Sequence, residues 1–323
     1  MAWRLRLAPE KTNIDFFRVQ WITFGLSAFL VAASFVCFLT LGFNFGIDFK
    51  GGTTIRTEST QVVDVGAYRQ ALEGLGLGDV TITEVFDPTF REDQHVAQVR
   101  IAAQEGEEAV TQETIQQVEE ALRTVDPQIG FPSVESVGPK VSGELIQKAF
   151  LSVVAASVGI GLYIWMRFEW QYSVGTIVAL LHDVIVTAGV FSLFQLRFDL
   201  TIVAALLTIL GYSVNDTVVV FDRLRENLLK YKSMPLRDVM NLSVNETLGR
   251  TLVTGGTTLL ALIPLLIFGG DVIRGFIFAM TFGVFIGTYS SVYVAKNIVL
   301  WIGLPRGEKA KKASRNEFAD IDA

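Results

Sequence analysis

Cysteine occurs once in this 323-residue chain, at Cys37, and histidine only twice. A single thiol excludes an intrachain disulfide, so any domain outside the membrane must hold together by packing alone. Charge is scarce as well: 19% of residues are Asp, Glu, Lys or Arg, half are apolar, and the mean hydropathy is +0.43. That balance excludes an ordinary soluble domain of this size and points to an integral membrane protein. No small-x-small cleavage site follows the first apolar run, which is about twice the length of a signal-peptide core, so it reads as an uncleaved anchor. "SFVCF" also lacks the small residues that precede a lipidated cysteine, which leaves Cys37 facing lipid or packed.

What is present in quantity is apolar sequence. Windows of about 20 residues, long enough to cross a bilayer, fall at 21–41, 145–165, 174–194, 200–221, 247–268 and 275–301. Lys and Arg number four in 1–20, six in 222–250 and five after Trp301, whereas the short loops on the other side carry only Arg197 and Arg274. The positive-inside rule therefore expects both termini in the cytoplasm. The expected organisation is a cytoplasmic N-terminus (1–20), a first helix (21–41), an outer domain (42–144), five more helices (145–301) with a cytoplasmic loop (222–246), and a cytoplasmic tail (302–323).

The outer domain has seven basic against eighteen acidic residues, which argues against nucleic acid as a partner. Periodicity predicts a strand at 53–58, a helix at 64–75, strands at 80–86 and 96–102, a helix at 107–125 and a strand at 131–137. That order is βαββαβ, the split-βαβ arrangement. Nothing in it has catalytic character, and His95 reads as a lone turn residue rather than a metal ligand, so no enzyme, metal or cofactor is expected. The approach "FGIDFKGGT" is glycine-rich without the spacing of a phosphate cradle. Gly51 and Gly52 let the chain turn as it leaves the bilayer, with Asp48 and Lys50 at the interface. Gly138, Pro139 and Gly143 punctuate the exit. Both segments read either as hinges or as fixed linkers.

Ionisable groups deep in an apolar span cost roughly 2.5 to 3.5 kcal/mol on insertion scales and call for a partner or a function. Asp216 lies six residues before Asp222, about 9 Å inside the expected boundary. Thr208, Tyr212 and Asp216 share a helix face, with Gly211 and Asn215 beside it. Arg250 opens the next span, its face continued by Thr254, Thr257 and Thr258, while Gly255 and Gly256 permit close helix approach. The two helices run antiparallel, which puts one acid and one base in the inner third of the bilayer; the alternative is that both groups snorkel to the interface. His182 and Asp183 form a third site, readable as a proton relay or as a buried pair that fixes packing. Ala279, Gly283 and Gly287 make a small-residue stripe read as helix packing alone.

The segments "FGIDFKGGT", "ALLHDVIVTAG", "LTIVAALLTILGYSVNDTVVVFDRLREN", "NETLGRTLVTGGTTLLALIPLLIFGG" and "VIRGFIFAMTFGVFIGTYSSVYVA" resemble, in order, those of the SecF family of bacterial protein-export membrane proteins. The resemblance implies a polytopic α-helical membrane protein of RND half-transporter type, with six transmembrane helices and an α+β ferredoxin-like periplasmic domain between the first and second. It implies residence in the inner membrane and partnership with SecD, with the SecYEG channel and with a preprotein emerging at the periplasmic domain; YajC is a further partner it allows. It also implies that proton-motive force drives late translocation, with Asp216 of the GYS-x-ND-[ST] motif and Arg250 tied to proton passage. Gly249 departs from the larger residue such sequences carry there. A proton-driven exporter of small molecules or lipids is the alternative, since it would use the same chemistry.

Overall fold

A computed structural model describes residues 12–87, 90–102 and 110–305. The basic residues counted above within 1–11 and 306–323, and the expected helix start at 107–109, lie outside these. Among the described residues six helices are long and apolar enough to cross a bilayer: α1 (Gln20–Thr40), α5 (Pro139–Arg167), α6 (Trp170–Leu193), α7 (Leu200–Lys230), α8 (Leu236–Phe268) and the run of α9 (Asp271–Ser290), a π-helical segment (Ser291–Ala295) and α10 (Lys296–Ile302). Helices α6 and α7 are the most enclosed, whereas α1, α5 and α8 leave most of their surface uncovered within the chain. An apolar helix satisfies its own backbone, so exposure of its side chains to lipid costs nothing, and the enclosed pair is where polar side chains can be housed.

Between α1 and α5 the chain forms β1 (Asn44–Phe45), the single turn α2 (Ile47–Lys50), β2 (Gly52–Ser59), α3 (Val65–Glu73), β3 (Val80–Val85), β4 (His95–Ile101), α4 (Gln112–Val125) and β5 (Gly130–Val137). The four long strands are ordered β3-β4-β2-β5, every pair antiparallel, which with two helices makes the ferredoxin-like βαββαβ fold. Ile55, Val99, Ile101, Leu72, Val118 and Leu122 are buried together, the sheet supplying every second residue and the helices every third or fourth. Asp64 caps α3 and Thr111 caps α4 with side-chain oxygens, satisfying backbone N–H groups that no earlier turn can reach. His95, read above as a turn residue, is the first residue of β4, paired with Ser59. The domain has its own core, so residues 51–138 expressed alone should be soluble and give a mixed α/β circular dichroism spectrum; an all-helical spectrum would contradict the assignment.

Two boundaries differ most from the sequence reading. Residues 222–246 were expected as a loop, but α7 continues to Lys230 and α8 already starts at Leu236. Hydropathy stops where the bilayer stops; a helix need not. Here the polar extensions bond to each other: Arg223 Nε donates to Glu246 at 2.7 Å, Asn227 Nδ2 to Glu246 at 2.6 Å and to Ser243 at 3.0 Å. At the exit from the domain, Pro139 opens α5 at the position where its missing N–H is harmless, so the helix begins six residues before the expected 145.

Candidate functional site

The centre of the helical part is a buried polar cluster supplied by three elements. Asp183 on α6 is fully buried; its Oδ2 accepts from Ser213 Oγ of α7 at 2.6 Å and from Ser290 Oγ of α9 at 2.8 Å, and its Oδ1 lies 3.0 Å from His182 Nδ1. Ser291 and Thr217 continue the cluster with hydroxyls 3.0 Å apart. A carboxylate with all its oxygens engaged ties three helices where no water competes. Close approach is what brings the groups together. A Cβ on Gly287 would lie 3.1 Å from Ser213 Cβ and 3.6 Å from Asp183 Oδ2, and one on Gly283 would lie 2.3 Å from Ile209 Cδ1. The small-residue stripe is thus the floor of the cluster. Gly283→Val should force α7 and α9 apart and destabilise by about 1 to 3 kcal/mol, measured as a lower midpoint in a thermal aggregation assay of the detergent-solubilised protein.

Asp216, three residues beyond Ser213 on α7, is a contrast. It is buried, yet neither carboxylate oxygen has a hydrogen-bond partner among the described residues. The charge that acts on it is Arg250 of α8, whose side chain is exposed and lines a cavity of about 530 Å³ between α5, α7 and α8. That cavity also presents Arg167, Arg223, Asp222, Glu226 and Glu246, and reaches Val218 and Val219, two and three residues from Asp216. Arg223 is committed to Glu246 and Glu226, and Arg167 lies 3.7 Å from Asp222. Arg250 has no such partner among the described residues. Asn215 faces outward on the exposed side of α7, Gly255 approaches Thr288 and Tyr212, and Gly256 meets open space. A buried carboxylate without donors is costly when ionised, so its proton occupancy depends on how near Arg250 comes.

The domain is joined to this machinery at two helix N-termini. Asp48 Oδ2 accepts from the Leu200 N–H at 3.0 Å, at the start of α7, the helix that carries Asp216. Beside it β1 pairs in parallel with β6 (Arg197–Phe198), Gly46 N–H donates to Phe198 C=O at 2.8 Å, and Arg100 of β4 donates to Phe45 C=O at 3.0 Å. Gly51 and Gly52 have φ of 71° and 113°, values open to glycine and strained for other residues. The second contact is at α9: the Asp87 carboxylate accepts from the Asp271 N–H, and Arg274 Nη1 donates to Phe86 C=O at 3.4 Å. Acids at helix N-termini complement the dipole. Gly138 precedes α5 with ordinary dihedrals, and Gly143 lies inside its first turns in open space.

Sequence reasoning missed three features. Gly189 meets Ser34 of α1, where an added Cβ would overlap its Oγ. Ser213 and Ser290 carried no signal, because a serine in an apolar span does not show which helix it faces. Lys296 is fully buried, with its Nζ free of hydrogen bonds among the described residues.

Six spans with a ferredoxin-like domain between the first and second, and polar groups on the enclosed central helices, define half of an RND-type membrane transporter. Residues 117–304 match the family described as Protein export membrane protein SecD/SecF, C-terminal, and residues 38–61 match the SecD/SecF GG motif. The chain is 71% identical over 324 residues to the Protein translocase subunit SecF of Cereibacter sphaeroides, covering 100% of both chains. It is 65% identical to the same subunit of Rhodobacter capsulatus, over 99% of this chain and 98% of that one. The crystal structure of SecDF, a translocon-associated membrane protein from Thermus thermophilus, superposes with a TM-score of 0.80 at 34% identity, covering 92% of this chain and 39% of the longer one. The chain belongs to the SecD/SecF family of protein-export membrane proteins, and is a multi-pass membrane protein.

Proposed function

We propose that this chain is the SecF-type accessory subunit of a bacterial Sec protein-export machinery, coupling proton-motive force to late translocation of preproteins across the inner membrane. It works with a SecD half beside the SecYEG channel, with YajC as a further partner. Both termini are cytoplasmic and the ferredoxin-like domain is periplasmic, where it engages the emerging preprotein. One observation carries the reading: a buried Asp216 on one helix and an Arg250 on the next, each without a hydrogen-bond or ion-pair partner among the described residues, beside a cavity open on the side away from the domain.

The chemistry follows from what each group can do. Arginine keeps its proton at these pH values, so Asp216 is the carrier and Arg250 its fixed counter-charge. Ionised Asp216 draws Arg250 in; protonation releases it. Each proton that crosses releases about 2.3 kcal/mol per 100 mV, enough to bias a two-state helix arrangement. Asp48 at the start of α7 and Asp87 at the start of α9 are the contacts through which a helix shift reaches the domain. Gly51 and Gly52 absorb the change at one junction, and the start of α5, from Gly138 to Gly143, at the other. Asp183 and His182 hold the pivot: both carboxylate oxygens of Asp183 are engaged by neighbouring side chains, which supports a packing role for the carboxylate, while His182 Nε2 is buried without a hydrogen bond among the described residues.

The test compares inverted vesicles with and without the chain. Gradient-dependent completion of preprotein translocation should fall in vesicles that lack it and return when it is supplied together with SecD. Unchanged translocation accompanied by loss of dye or lipid efflux would replace this reading with that of a small-molecule exporter.

A further inference from the structure

Lys296 has no place in the proton chemistry above, yet it is the most enclosed cation among the described residues: fully buried, at the end of the π-helical segment, with no hydrogen bond to its Nζ. What surrounds it is aromatic. The Nζ lies 4.2 Å from the ring centroid of Phe17, 5.0 Å from that of Phe16 and 5.2 Å from that of Tyr293. A desolvated ammonium over ring faces is held by their quadrupoles, and here three rings replace its water. Its π-helical neighbourhood matters too, because one widened turn rotates the residues that follow and so directs Lys296 inward.

Phe16 and Phe17 belong to a strap, residues 12–19, that crosses the side of the bundle opposite the domain. Its backbone is bracketed by two asparagines one turn apart on α8. Ile14 N–H donates to Asn245 Oδ1 at 2.8 Å, Phe16 N–H donates to Asn241 Oδ1 at 2.9 Å, and both amide groups donate to Ile14 C=O at 2.9 Å. Asp15 lies 3.7 Å from Arg237. Phe16 is buried with Val220 of α7, Val244 and Leu248 of α8, and Val292 of the π-helical segment. Val220 is one turn from Asp216, and Leu248 is two residues from Arg250. Phe16 is therefore a wedge between the two helices whose separation sets how near Asp216 and Arg250 come.

We propose that Lys296 is the charged clasp of this wedge: its ammonium holds Phe16 and Phe17 between α7, α8 and the π-helical segment, and so positions Arg250 relative to Asp216. It is a positioning residue, acting through the strap. The charged groups that act on it are Asp15 of the strap and Arg237 of α8, and Tyr293 is the other titratable side chain against it. The positioning half of the proposal rests on the proton-coupled reading above, while the clasp itself does not.

Hydrogen–deuterium exchange of the assembled complex, read on amides 12–19, tests the clasp. Lys296→Met keeps the volume and removes the charge, and should speed exchange of these amides about tenfold, whereas Lys296→Arg keeps a cation and should stay within about twofold of wild type. Exchange unchanged in Lys296→Met would overturn the proposal. Should that variant fail to accumulate, wild type and Lys296→Arg are compared from about pH 7 to about pH 10 after correction for intrinsic exchange. Protection of the strap should then fall in wild type, whose amine can lose its proton, and hold in the arginine variant; parallel curves would overturn it. Gradient-dependent translocation at matched complex levels tests the positioning. It should drop severalfold in Lys296→Met and recover in Lys296→Arg, and a loosened strap with full gradient dependence would refute that half. Asp216→Asn should leave strap exchange at wild-type values, so a failure of the proton-carrier reading shows separately.

Discussion

Asp183→Ala should leave little assembled protein in the membrane, while Asp183→Asn should accumulate almost normally. The alanine removes the acceptor for Ser213 and Ser290 and the partner of His182, all buried. It also leaves a void where α6, α7 and α9 meet. Ser213 is then left without an acceptor and Ser290 with only the Gly287 carbonyl at 3.1 Å; a buried hydroxyl without an acceptor costs about 1 to 3 kcal/mol in water-soluble proteins, and less in membranes because the unfolded state finds other partners, so with the void about 3 kcal/mol in total is the expected loss. Asparagine keeps one oxygen to accept from the serines and an amide to face the histidine, which must then present an acceptor nitrogen. The measurement is the amount of protease-resistant protein in membranes, followed by gradient-dependent translocation at matched levels. If Asp183→Asn accumulated normally but lost gradient dependence, the carboxylate would belong to the proton path, and the packing role assigned to it would be wrong.

The difference between Asp183 and Asp216 marks the limit of what is legible in sequence. Both are acids in apolar runs, and periodicity alone assigns both the same cost. What separates them is whether donors from other helices reach them, and those donors are serines more than 25 residues away in the chain. The six spans and the βαββαβ order are legible because hydropathy over 20 residues and alternation over six are local properties. The antiparallel hairpin of α7 and α8 likewise places Asp216 and Arg250 at similar depth from spacing alone. Lys296 is the opposite case. Near the end of the last apolar run a lysine reads as a snorkelling interface residue, and its burial depends on aromatic residues about 280 positions earlier folding back over it. The polar extensions of α7 and α8 fail for a related reason: hydropathy reports the bilayer edge, whereas helix continuation depends on Arg223, Asn227 and Glu246 finding one another.

The contacts between the membrane helices and the domain are likewise a matter of end groups. Helices α7 and α9 pack against each other and carry Ser213 and Ser290 to the same carboxylate, and each begins under an acidic residue near the domain, Asp48 or Asp87. A rigid helix transmits displacement along its axis with little loss, so on the proposed mechanism a change beside Asp216 would arrive at Leu200 as a movement of the β1–β6 junction. The Gly51–Gly52 pair follows that junction directly, and its left-handed dihedrals are a conformation that larger residues at those positions would resist.

Asp216→Asn should abolish the stimulation of translocation by a proton gradient while leaving insertion, partner binding and gradient-independent translocation intact. The substitution preserves volume and removes only ionisation, and since no neighbour among the described residues hydrogen-bonds to the carboxylate, no native bond is lost. Arg250→Met should have a similar defect by another route. Without Arg250 the acid loses the cation that favours its ionised form, and ionisation no longer responds to the helix arrangement. Arg250 is exposed in a cavity, so its removal should change stability by less than about 1 kcal/mol, and the defect should appear in coupling rather than in amount. Because both substitutions block one step, the double variant should be no worse than either single, a non-additivity expected of groups that act as a unit. The assay is translocation into inverted vesicles with and without an uncoupler, for wild type, both singles and the double at matched levels. Additive losses would show that the two groups act separately. Full gradient dependence in Asp216→Asn would remove the proton carrier from the mechanism and leave a buried carboxylate whose cost no function offsets.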